Sequence, residues 1–119
     1  MKKEKYYMLV KSTNKSTNKS NLTLCYDYGY KFACKDTFFY IANKNYRNCT
    51  LYNITEAKTG MCLLECKTIK EGVEKLPFYY GVIHNNEDME ATYQKYSKIF
   101  SELVSKVNAG LLTATNWND

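Results

Sequence analysis

Histidine, cysteine and paired carboxylates are the side chains through which a small protein most often does chemistry, and this chain spaces them poorly for it. His84 is the only histidine, which excludes every metal site built on two histidines. A lone imidazole can still activate a cysteine as a general base. The sequence supplies no partner for it, however, and His84 stands where a strand is expected to hand over to a helix, so capping or packing is its expected role. The five cysteines, at 25, 34, 49, 62 and 66, include no Cys-x-x-Cys pair. Cys62 and Cys66 lie four apart on an expected strand, roughly 13 Å along it, beyond disulfide reach and unsuited to one zinc ion. The odd count fits free, largely buried thiols. Glu87, Asp88 and Glu90 form an acidic cluster, but a place in the first turn of a helix explains them. The chain has no glycine-rich phosphate loop, Gly-x-Ser-x-Gly elbow or His-Glu-x-x-His. No catalytic set, metal site or cofactor is expected.

The aromatic residues have more to offer. Twelve tyrosines and five phenylalanines are interleaved with cations. Tyr28, Tyr30, Lys31, Lys35, Tyr40, Lys44, Tyr46 and Arg47 form the candidate set for binding a ligand or partner. Aromatic faces beside cations on a sheet can stack bases and hold phosphates. Tyrosine also suits protein interfaces, because it covers much area with few rotors. Packing in a half-buried sheet is the competing use.

These residues must be positioned by a single domain, 1–119, with room for one core. No run approaches the roughly 20 apolar residues of a membrane helix. The apolar run at 6–10 is too short for a signal peptide's core, so a cytoplasmic protein is expected. Five N-glycosylation triplets, starting at Asn14, Asn18, Asn21, Asn48 and Asn53, then follow from an Asn-rich composition. The cations are 16 Lys and Arg47. Lysine attracts anions generally and does not read them bidentately. Residues 1–76 hold 14 basic and 7 acidic side chains, a net of +7, whereas 77–119 hold 3 and 5, a net of −2.

Periodicity places the elements. Met89, Tyr93, Tyr96, Phe100, Leu103 and Val107 form one stripe of a long amphipathic helix over 87–109, widened by Ile99 and Val104. Asn85 or Asn86 caps it and Gly110 ends it. The preceding chain reads as strands: 6–11; a hairpin of 21–26 and 30–35 around Gly29; 37–42 before a turn at 43–45; and a second hairpin of 46–55 and 61–66. The segment 11–20, with its repeated Lys-Ser-Thr-Asn, reads as a low-complexity polar loop. Thr68 and Glu71 fit a capping box that opens a short helix over 69–76, stopped by Pro77. A last strand then spans 78–84, and 111–119 is a tail pinned by Leu111, Leu112 or Trp117. The result is an α+β fold: a mainly antiparallel sheet of five or six strands, one short helix, and one long C-terminal helix packed on one face.

The Lys-, Asn- and Tyr-rich, Arg- and Pro-poor composition resembles proteins of A+T-rich genomes, such as low-G+C Gram-positive bacteria and their phages. In size and composition the chain resembles phage or mobile-element accessory proteins that act against host defences, such as anti-CRISPR proteins. That resemblance implies a non-enzymatic inhibitor in the host-cell cytoplasm, holding a protein partner through a Tyr/Lys-rich surface. The alternative is a nucleotide- or nucleic-acid-binding protein that uses the same face, for instance to sequester a signalling nucleotide. A second alternative is a small Cys/His enzyme. The wide helical stripe also suggests a two-fold homodimer with contacts at Tyr93 and Tyr96, weighed against a monomer whose tail covers that edge.

Overall fold

The structure is a computed structural model and describes residues 2–14, 16–46 and 49–117. Its elements, in chain order, are β1 (Glu4–Asn14), β2 (Lys19–Cys34), β3 (Thr37–Tyr46), β4 (Cys49–Glu56), β5 (Cys62–Cys66), α1 (Ile69–His84), α2 (Glu87–Asn108) and β6 (Thr115–Asn116). The sheet runs β1-β2-β3-β4-β5, antiparallel throughout, with β6 added in parallel beside β2. The expected α+β architecture, with a long C-terminal helix, is therefore what forms.

Several local expectations are corrected. No hairpin forms around Gly29. β2 is one 16-residue strand, paired with β1 from Lys19 to Gly29 and with β3 from Tyr30 to Cys34. Gly29 marks a close crossing instead: a Cβ there would lie 2.7 Å from the Ile41 carbonyl oxygen and 3.0 Å from the Tyr6 ring. The expected polar loop at 11–20 is mostly ladder, with pairing from Lys11↔Leu22 to Asn14↔Lys19. Polar composition reports what is not buried, and it says nothing against backbone pairing. Similarly, β3 continues through the expected turn at 43–45.

The largest correction is at 78–84, which is helix and not strand. α1 runs through Pro77 to His84. Phe, Tyr, Val and Ile favour strands, but Leu76, Tyr80 and His84 recur every four residues. Burying that row against the sheet outweighs propensity. Leu76 is fully buried among Phe39, Ile41, Ile54 and Cys66, with Tyr80 packed alongside. The opposite face of the sheet closes a second core of Tyr6, Met8, Cys25 and Ala42, flanked by Val10, Tyr40 and Trp117.

The start of α1 and both ends of α2 follow their expected chemistry. Thr68 Oγ1 accepts from the Glu71 amide at 3.1 Å, while Glu71 reaches back to the Lys67 amide, one residue beyond the usual capping-box partner. Asn86 Oδ1 accepts from the amides of Asp88 and Met89. At the far end the Gly110 amide donates to Val107 and the Leu111 amide to Lys106, a Schellman closure. Asn86→Ala should lower stability by about 1 kcal/mol, read as a shift in the urea midpoint.

The α2 stripe is turned inward as expected. Tyr93 and Phe100 are buried and Tyr96, Ile99, Leu103, Val104 and Val107 half-buried, while Gln94, Lys95, Lys98, Ser101, Glu102, Ser105 and Lys106 face solvent. Met89, at the first turn, stays exposed. The tail is pinned by its backbone. β6 pairs with β2 at Cys25 and Tyr26, and the Trp117 amide donates to the Tyr26 carbonyl at 2.9 Å. Lys44 Nζ sits 3.5 Å over the Trp117 ring and donates to its carbonyl. Leu111 and Leu112 point to solvent.

Candidate binding surface

A cluster of ionisable groups surrounds the half-buried His84. The last turn of α1 carries its ring 4.1 Å from Tyr80 and 5.0 Å from Tyr93. Nδ1 lies 2.5 Å from Glu90 in the first turn of α2, and Nε2 lies 3.8 Å from Glu56 at the end of β4. Burial raises the Glu56 carboxyl above its ordinary value, partly offset by a hydrogen bond from Thr59 and by His84. Burial, with Glu56 close by, also raises the Tyr93 hydroxyl. On α2, hydrogen bonds from Gln94 and then His84 lower Glu90.

A carboxylate holding one imidazole nitrogen, with a second acid near the other, is an arrangement capable of proton transfer. The space it encloses is about 40 Å³, bounded also by Thr37, Lys58, Gln94 and Ser97. That is room for about three water molecules. The cluster ties α1, α2 and β4 together as a polar junction. Among the described residues, no three His, Cys, Asp or Glu side chains converge on a metal-sized point.

The junction makes a pH prediction. A carboxyl raised in the folded state binds protons there that the unfolded chain has released. Its effect on stability is therefore most favourable in acid and is lost as pH rises from about 4.5 through the raised value. Glu56→Gln keeps the shape and removes the buried charge. The difference in melting temperature, variant minus wild type, should grow as pH rises from 4.5 toward neutrality.

The aromatic and lysine residues lie elsewhere. Lys3, Lys5 and Tyr7 from the β1 side and Tyr26, Tyr28 and Tyr30 of β2 share one face. Register sets Tyr7 opposite Tyr26 and Lys5 opposite Tyr28. Lys5 Nζ sits 4.4 Å over the Tyr26 ring and 5.6 Å over Tyr7, and Lys3 sits 5.8 Å over Tyr30. Tyr26 and Tyr28 meet edge to face at 6.2 Å. At Tyr30 this ribbon runs into an open apolar groove of about 400 Å³ between α1 and the sheet, lined by Tyr30, Phe32, Ile41, Ile69 and Val73.

Of the eight residues expected to bind, Tyr28 and Tyr30 lie on the ribbon. Lys31 is on the opposite face, 4.5 Å over the Phe38 ring. Tyr40 stacks on Tyr6 at 4.6 Å in the second core. Lys44 is held by Trp117, and Lys35 is exposed in the β2–β3 turn with φ 48°. The Tyr46 side chain and Arg47 lie outside the described residues. Of the two tyrosines expected at a dimer contact, Tyr93 is buried within the single chain, against His84, and Tyr96 is half-buried. Lys3, Lys5, Tyr7 and Tyr26 were not in the expected set. Their signal is a period of two, Lys-x-Lys-x-Tyr on β1 and Tyr-x-Tyr-x-Tyr on β2, which marks one face of each strand. No known protein family, curated protein or solved structure matches this chain. Among the described residues, no helix is long and apolar enough to cross a membrane.

Proposed function

We propose that this chain is a non-enzymatic binding protein and that the Tyr/Lys ribbon is its contact surface. The observation that carries the reading is the ribbon itself: three tyrosines in file on β2, two of them under lysines from the β1 side, leading into an apolar groove. Monomeric proteins seldom present aromatic area of this kind without a partner for it. Tyrosine gives contact area with little entropy to lose, and the lysines draw in an anionic surface. The small enclosed volume at His84 favours binding over catalysis. The composition supports a setting in which a phage-type accessory protein inhibits a host-defence component by occupying it.

The experiment is capture from a bacterial lysate with the wild-type chain and with a Tyr26→Ala, Tyr28→Ala variant. Tyr28 is 49% exposed, so the fold should tolerate its loss, and a melting curve checks this. The wild type should retain a specific component that the variant loses. Identical recovery by a folded variant removes the ribbon from the binding surface.

A further inference from the structure

We infer that the ribbon takes single-stranded nucleic acid, with bases stacked on Tyr26, Tyr28 and Tyr30 and the phosphate backbone running past Lys3 and Lys5. This rests on the ribbon being the contact surface and names the class of its partner. The charge on this face has one sign. Among the described residues of β1 and β2 that share it, with Lys3 just before β1, the charged side chains are Lys3, Lys5 and Lys11. The carboxylates of these strands point the other way: Glu4 pairs with Gly29, and Asp27, opposite Tyr6, is buried on the second-core side. A partner carrying a carboxylate at one point would satisfy one lysine. A phosphodiester chain satisfies each lysine in turn.

The spacing agrees. Tyr26, Tyr28 and Tyr30 alternate along one strand, and the Tyr26 and Tyr28 ring centroids are 6.2 Å apart with their planes near perpendicular, a step comparable to the span of one extended nucleotide, with each base turning to meet its ring. Every base has a flat face for such rings, so the recognition is sequence-tolerant. The lysines over the rings do not block it. An ammonium on a four-carbon stem slides from ring face to phosphate without moving the backbone. At the far end of the ribbon, the groove beyond Tyr30 gives an unstacked base an apolar place to rest between Phe32, Ile69 and Val73.

The test uses labelled oligonucleotides of about a dozen nucleotides, DNA and RNA, read by fluorescence anisotropy. The wild-type chain should bind, with affinity falling about tenfold between about 50 and 200 mM salt if two or three phosphates are neutralised. Tyr28→Ala should weaken binding by roughly five- to a hundredfold with the melting temperature unchanged, and Tyr28→Phe should restore it. A Lys3→Ala, Lys5→Ala variant should flatten the salt dependence. No binding by the wild type at low salt overturns the inference, as does binding indifferent to Tyr28 and to both lysines. Lysate capture repeated after nuclease treatment separates this from the broader proposal. A nuclease-resistant protein partner lost in the Tyr26→Ala, Tyr28→Ala variant, without oligonucleotide binding, overturns the nucleic-acid assignment and leaves the ribbon standing. No oligonucleotide binding and no ribbon-dependent capture overturn both.

Discussion

Phe39→Ala should destabilise the fold by about 3–5 kcal/mol, the range for removing a fully buried phenyl ring. Phe39 has no exposed surface and lies at the centre of the core under α1. Its ring meets Phe32 at 5.9 Å and Tyr80 edge-on at 5.8 Å, so it joins β3 to both β2 and α1. Neighbouring elements cannot all close on the space it leaves, because each is also held in a hydrogen-bonded ladder or a helix. The contrast is the adjacent residue. Phe38 points to the other face, is 51% exposed, and lies under the Lys31 ammonium at 4.5 Å. Phe38→Ala should cost less than about 1 kcal/mol. Urea denaturation of the two variants is therefore a test of register. A one-residue slip of β3 would exchange the two effects.

The second large effect is expected at Gly60, in the connection from β4 to β5. Its φ of +69° is one that side-chain-bearing residues adopt at a cost of about 1–2 kcal/mol. A Cβ there would also fall 2.5 Å from Cδ1 of Phe100, which α2 presses on to this spot. Overpacking adds about 1–3 kcal/mol, so Gly60→Ala should lose about 2–5 kcal/mol in all. The surrounding backbone has little freedom to retreat: the Gly60 amide donates to Glu56, and its carbonyl accepts from Leu9 of β1 at 2.7 Å. The two causes can be separated. Phe100→Leu removes the clash and leaves the left-handed backbone, so the double variant should be more stable than the sum of the single effects implies, by about 1 kcal/mol or more. Strict additivity would show that Phe100 does not sit on Gly60.

These two sites show what the sequence carries and what it does not. The α2 helix was readable because its caps, its stripe and its polar face all agree on one period. The same held for the start of α1, where Thr68 and Glu71 are local partners. Gly29 misled because glycine serves two needs, a turn and a close crossing. Only the two strands packed against it, β3 at Ile41 and β1 at Tyr6, distinguish them. Residues 78–84 misled because their intrinsic preference is for strand, while the surface that makes them helical is supplied by β3, β4 and β5. The His84 junction draws on Glu56, 28 positions earlier, so no local spacing announces it. The ribbon was half visible. Tyr28 and Tyr30 stood out, but the lysines that face them come from the other strand and required the register of β1 against β2.

β2 belongs to both halves of the sheet at once, and this governs how the molecule comes apart. Its residues up to Gly29 complete the ladder of β1, and those from Tyr30 complete that of β3. A chain with two separately bounded sheets can lose one while keeping the other, and its amides then exchange with solvent in two classes. Here the second core spans the boundary: Tyr6 of β1 stacks on Tyr40 of β3, Ala42 packs with Met8 and Cys25, and the Leu9 amide donates to the Gly60 carbonyl, so opening the β1 ladder also uncovers β3 and the connection at the end of β4. Slowly exchanging amides of β1 and β4, far apart in sequence, should therefore report the same opening free energy, equal to that of global unfolding. A core shared across both ladders makes the fold one cooperative unit.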